Sequence, residues 1–138
     1  MTPDTEAFVR LAFQAQQPLR WIGAELIRIA DGEVEIAFPM REDLTSLGSG
    51  MVMGGLLATV TDVAAGLAII SRLQPPRPVM TIDFTCHQIA PANGERIACV
   101  GKVERIGKTI AIASAEAFSE KGQDRRLCTR LTATFAIP

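Results

Sequence analysis

Asp62 is the only charged residue between Val52 and Ile70, a run otherwise made of apolar, small and hydroxyl side chains. Burying a carboxylate is costly unless it is paired or hydrogen-bonded, so its presence there needs a reason. Three roles fit: a general base that activates water, a nucleophile that forms a transient anhydride, or a structural acid paired with an arginine or capping a turn. Two helical turns earlier stand Gly54 and Gly55. Glycines at a helix start leave backbone N–H groups open, and such ends favour a negatively charged group or a developing oxyanion. Close helix packing is the other use of paired glycines.

The remaining reactive side chains form no second constellation. His87 is the single histidine and falls on an alternating segment, which suits a surface or interface position. No G-x-S-x-G, H-E-x-x-H, Walker or dinucleotide-binding fingerprint occurs. Cys86, Cys99 and Cys128 are odd in number, widely spaced and set in apolar surroundings, as core thiols in a reducing compartment would be. Metal: none is expected from this set.

These residues need elements to position them. The spacing of Phe8, Leu11 and Ala15 predicts a short helix over Asp4–Gln16, and Val34, Ile36 and Phe38 alternate as a strand over Glu33–Phe38. A polar, Gly-rich stretch from Pro39 to Gly50 leads into the long apolar segment. There, Leu56, Val60, Val63, Leu67 and Ile70 make one helical stripe, and Ala58, Thr59, Asp62, Ala65 and Gly66 make a recessed stripe of small residues around the carboxylate. Pro75, Pro76 and Pro78 end that helix near Arg72. Four strands follow, over Met80–His87, Ile97–Ile106, Thr109–Phe118 and Leu127–Ile137, read as an antiparallel meander. Strict alternation puts Thr81, Asp83, Thr85 and His87 on one face. Gly107-Lys108 is the expected two-residue hairpin, and Ser119–Asp124 the expected last loop. Thr109, Ala111, Ala113, Ala115 and Ala117 make a face small enough for a helix or a partner sheet to approach closely.

Length and composition bound the rest. A chain of 138 residues with 48% hydrophobic and 21% charged content fits one globular domain, residues 1–138. A net charge of −1 with no Lys/Arg run argues against nucleic acid. The opening MTPDTEAFVR lacks a basic start and apolar stretch, so no signal peptide is expected. Val52–Ile70 is about long enough to cross a bilayer, but its glycines, alanines and threonines favour a buried central helix. The expected setting is cytoplasmic, without a membrane partner. The arrangement is α+β: an antiparallel sheet around one long central helix.

The segment Gly54-Gly-Leu-Leu-Ala-Thr-Val-Thr-Asp62-Val-Ala-Ala-Gly-Leu-Ala resembles the central-helix signature of hotdog-fold acyl-CoA thioesterases of the PaaI-like (phenylacetate-degradation) and related groups. Leu19–Gly23 with Asp31-Gly32, Thr81–Phe84 with Pro91-Ala-Asn-Gly94, and Arg105-Ile-Gly-Lys108 extend the likeness over nearly the whole chain. The resemblance implies a hotdog fold, a homo-oligomer (a dimer or a dimer of dimers) with active sites at the subunit interface, and thioester hydrolysis of an acyl-CoA. It implies no cofactor, coenzyme A entering only as part of the substrate. By position, Asp62 matches the catalytic carboxylate, Gly54 the residue whose N–H polarises the thioester carbonyl, and Thr81 a hydroxyl beside the attacking water. Gly55 lies against the same substrate group, and Arg105 and Lys108 are matched to phosphate contacts. Leu47 and Met53 take the places of a usual Asn and His and, with Met51, are expected to line an apolar path for a medium-chain or aromatic acyl group. The loss of those two polar side chains also admits a binding protein that keeps the fold without turnover. A hotdog dehydratase is the third reading, with His87 its sole acid–base candidate.

Overall fold

The computed structural model describes residues 1–138. Its first helix, α1 (Pro3–Gln14), starts where Thr2 accepts a hydrogen bond from the Thr5 amide at 3.1 Å and Pro3 stands at the first helical position. A short α2 (Gln17–Trp21) leads to β1 (Glu25–Ala30) and β2 (Glu33–Pro39). Two 3₁₀ turns, Glu42–Leu44 and Ser46–Gly48, occupy the polar stretch before α3 (Gly54–Ile70). Strands β3 (Met80–Gln88), β4 (Arg96–Ile106), β5 (Ile110–Lys121) and β6 (Asp124–Ala136) complete the chain.

All six strands form one antiparallel sheet in the order β1-β2-β4-β5-β6-β3. The expected α+β hotdog arrangement is borne out, with α3 touching β2, β3, β4, β5 and β6. The meander is corrected. Of the four strands after α3, only β4, β5 and β6 follow one another, while β3 pairs with β6 at the sheet edge. The outer edge of β4 is taken by β2, whose Ile36 and Phe38 pair with Cys99 and Ile97. Residues 89–95 are long enough to carry the chain across from the β3 edge to β4.

The hairpin positions shift as well. Gly107 donates to the Ile110 carbonyl at 2.8 Å, so Lys108 and Thr109, not Gly107 and Lys108, form the loop. The expected loop at Ser119–Asp124 shrinks to Gly122 and Gln123, because Lys121 still pairs with Asp124.

The sheet accepts the helix through small side chains. Ala111, Ala113, Ala115 and Ala117 are all buried beneath α3, which resolves the small face of β5 in favour of the chain's own helix. Gly101 makes the closest approach: a Cβ there would collide with the backbone of Ala64. On the helix, Thr61, Ala64, Ala65 and Ala68 are fully buried. The larger Val63, Leu67 and Ile70 face a cleft towards α1 instead. No helix is long and apolar enough to cross a membrane, and the apolar run Val52–Ile70 serves as the buried centre of the fold.

Candidate functional site

Thr81 donates through its Oγ1 to Asp62 Oδ1 at 2.8 Å. Strict alternation along β3 would not allow this, since it puts Thr81 on the face of Asp83 and His87. The pairing instead slips between Thr81 and Asp83, with Thr81 opposite Phe135 and Asp83 opposite Thr134. The extra residue, Ile82, is a bulge. It returns Thr81 to the face of buried Phe135, where α3 lies, and leaves Asp83, Thr85 and His87 on the outer face opposite Thr134, Thr132 and Arg130. His87 is thus exposed and on the wrong side of the sheet from Asp62.

Asp62 is half-buried at one end of a cleft of about 490 Å³. Burial pushes its carboxyl above the ordinary range, and the Thr81 hydrogen bond opposes that shift. The cleft is lined by Val63, Gly66, Leu67 and Ile70 on α3, by Phe8, Leu11 and Ala12 on α1 with Ala15 just after it, and by Phe135 of β6. Sequence spacing had already set Phe8, Leu11 and Ala15 on one side of a helix; what it lacked was any sign of where that helix docks.

Gly54 stands at the first position of α3, and no side chain caps this end. The amides of Gly54 and Gly55 have no acceptor within the chain. Gln88 braces the site from β3: its Nε2 donates to the Gly54 carbonyl at 3.0 Å, and its Oε1 accepts from Thr129 at 2.7 Å. A Cβ on Gly54 would sit 3.2 Å from that Nε2. Gln88 gave no sequence signal, because a glutamine on a mixed strand looks like any solvated polar residue. Gly54 borders a second cleft with Ser46, Met51, Leu57, Gln88 and Pro91. It has no lining residue in common with the Asp62 cleft.

The other expected site residues are more scattered. Met53 is the residue before α3 and is exposed, and Leu47 is fully exposed with a left-handed backbone (φ 52°). That conformation suits asparagine several-fold better than leucine. Arg105 and Lys108 are exposed near the β4–β5 turn and border neither cleft. The three thiols are free, and burial pushes each of them upward, so they stay protonated at neutral pH.

Comparison with known proteins bears on the family and the fold. A model of the thioesterase superfamily matches residues 49–125, which contain both Gly54 and Asp62. A "putative esterase" of Halobacterium salinarum is 35% identical over 114 residues, 80% of this chain and 75% of its own. The medium/long-chain acyl-CoA thioesterase YigI of Escherichia coli is 24% identical over 132 residues, 86% of this chain and 83% of its own. Among solved structures, a thioesterase family protein from Silicibacter pomeroyi superposes with a TM-score of 0.91 at 30% identity, covering 96% of each chain.

Proposed function

The chain belongs to the thioesterase superfamily, and from that premise we propose that it hydrolyses acyl-CoA thioesters as a homo-oligomer, with Asp62 as the base. The observation that carries this is the Asp62–Thr81 pair, a carboxylate held by a hydroxyl at 2.8 Å at the end of an apolar cleft. Thr81 spends its one proton on Asp62, so its lone pairs are left to accept from a water. A water donating to both groups is oriented with an oxygen lone pair towards a thioester carbonyl. Asp62 takes its proton as the C–O bond forms, and the coenzyme A thiolate leaves with that proton. A direct attack by Asp62, giving an anhydride that water then opens, uses the same positions.

The carbonyl oxygen needs a donor in the transition state, and the Gly54 amide supplies it, with Gly55 beside it. Within one chain, Gly54 and Asp62 are about 12 Å apart along the helix axis, and they open onto separate clefts. The reading therefore takes Asp62 and Thr81 from one subunit and Gly54 from a second. Arg105 and Lys108 sit at the sheet end shared with Thr81, through the cross-strand row Thr81–Phe135–Ala111–Ile106. Their exposure lets them meet the phosphates of coenzyme A. The name of the Escherichia coli relative, a medium/long-chain acyl-CoA thioesterase, supports the substrate class.

Leu47 and Met53 favour one other reading, an acyl-CoA-binding protein without turnover. Both are exposed and apolar near the start of α3, where the family resemblance expects an Asn and a His. Thioester hydrolysis followed with a thiol-detecting dye separates the two. Hydrolysis by the wild type, falling about a hundredfold or more in Asp62→Asn, is the expected result, the scale of losing a catalytic base. Wild-type binding of acyl-CoA with no turnover would establish the second reading instead.

A further inference from the structure

We propose that the cleft between α1 and α3 is the seat of a straight acyl chain of about ten carbons, and that α1 sets this length. The inference rests on the thioesterase reading for what stands at the mouth of the cleft, but its walls make a separate argument. Apart from Asp62, Thr81 and Gln16, every lining residue is apolar, alanine or glycine. Asp62 and Thr81 are bonded to each other at one end, and Ile70 marks the other end of α3. An apolar trough that begins at a thioester-cleaving pair fits a hydrocarbon continuous with the reacting carbonyl.

The length follows from the helix. Asp62 to Ile70 spans about 12 Å at the α-helical rise. An extended chain of tetrahedral carbons advances about 1.2 Å per bond, as the extended backbone does, so the trough takes about ten carbons. A branched or aryl group would fill its mouth and leave the remainder empty.

The wall opposite is α1. Gln74, just beyond α3, donates to Thr5 Oγ1 at 3.0 Å, so the start of α1 lies beside the end of α3 and the two helices run in opposite directions. Phe8 therefore closes the end far from Asp62, and Ala12 and Ala15 lie nearer the carboxylate. Val9 and Thr5 are fully buried and anchor the helix. Leu11, on the cleft side, is a large apolar group left 63% exposed in the single chain. A chain lying in the trough would cover it.

The test uses S-alkyl-CoA thioethers, which cannot be hydrolysed, from butyl to hexadecyl, titrated by calorimetry into wild type, Phe8→Ala and Ala12→Phe. Affinity is expected to rise about fourfold per methylene and to level off near ten carbons. Phe8→Ala should move the plateau to longer chains and Ala12→Phe to shorter ones, opposite shifts that a general loss of folding does not produce. Affinity independent of chain length, or a plateau unmoved in both variants, would overturn the assignment. Running the matching acyl-CoA thioesters alongside keeps the two claims apart. Chain-length-dependent binding without hydrolysis upholds the cleft and sinks the enzyme, and hydrolysis with a flat binding series does the reverse.

Discussion

Asp62 is held in a way that costs the fold something, and the cost has a pH signature. Burial raises its carboxyl above the ordinary range, so between the two ranges the native state keeps a proton that the unfolded chain has lost. Stability then falls as pH rises through that window. The penalty is complete above the folded-state pKa and absent below the unfolded value near 4. Asp62→Asn removes the charge and keeps an oxygen for Thr81. Its melting temperature should exceed that of wild type at about pH 8, with the gap closing as pH falls below about 4. A variant less stable than wild type at the higher pH would mean that the anion has a structural partner. Thr81→Val should act in the other direction on activity. Without the hydrogen bond that opposes the upward shift, the acidic limb of the kcat/KM profile should move to higher pH, while Thr81→Ser should leave it in place. Asp62 was legible in the sequence because it is one charge in an uncharged run. Its partner was legible as a residue but not as a contact, since only the bulge at Ile82 brings Thr81 to the helix face, and nothing in Met80–Gln88 marks a bulge.

At the level of elements, the site depends on how closely α3 lies on the sheet. Gly101 faces the backbone of Ala64, two residues along the helix from Asp62, with the buried alanines of β5 alongside. A Cβ at Gly101 has no flexible side chain to displace, so Gly101→Ala should force helix and sheet apart at a cost of about 3 kcal/mol, the upper part of the usual overpacking range. Urea denaturation would measure it, and a loss below about 0.5 kcal/mol would show that the helix can shift freely. Any outward shift of α3 also lengthens the Asp62–Thr81 hydrogen bond, so activity should fall further than stability alone explains. Alternation and helical spacing found α1, α3 and every strand except β1, whose Glu25–Ala30 does not alternate cleanly between apolar and polar, and the alanine stripe of β5 announced a close neighbour. Pairing order was not available from the same pattern. β3 alternates as well as β4 does, and its place beside β6 follows from β2 occupying the other edge of β4. The docking of α1 was equally silent, because one amphipathic stripe does not name its partner.

The whole molecule, as one chain, sets the proposed base and the proposed oxyanion donor on separate clefts. β3 is an edge strand whose Met80, Ile82 and Phe84 are exposed, with Ile89 just beyond it, a surface that soluble proteins ordinarily cover. A second copy placed against this edge would meet the β3 that carries Thr81, close to both clefts, and would allow the Gly54 amide of one subunit to reach the thioester held by Asp62 of the other. The division can be tested without a structure of the assembly. Asp62→Asn removes the proposed base. Gly54→Pro removes the amide proton at the first helical position, where helices accept proline; Met53 already has an extended backbone (φ −57°, ψ 132°), and the added Cβ, 3.2 Å from Gln88 Nε2, asks only the end of that side chain to give by a few tenths of an ångström. Each variant alone should be inactive. Unfolded and refolded together in equal amounts, about half of the dimers are mixed, and a two-fold interface gives each mixed dimer one site with Asp62 and Gly54 both intact. Activity should therefore return to about a quarter of wild type. If both groups served one site within a single chain, every site in the mixture would still lack one of them, and mixing would restore nothing.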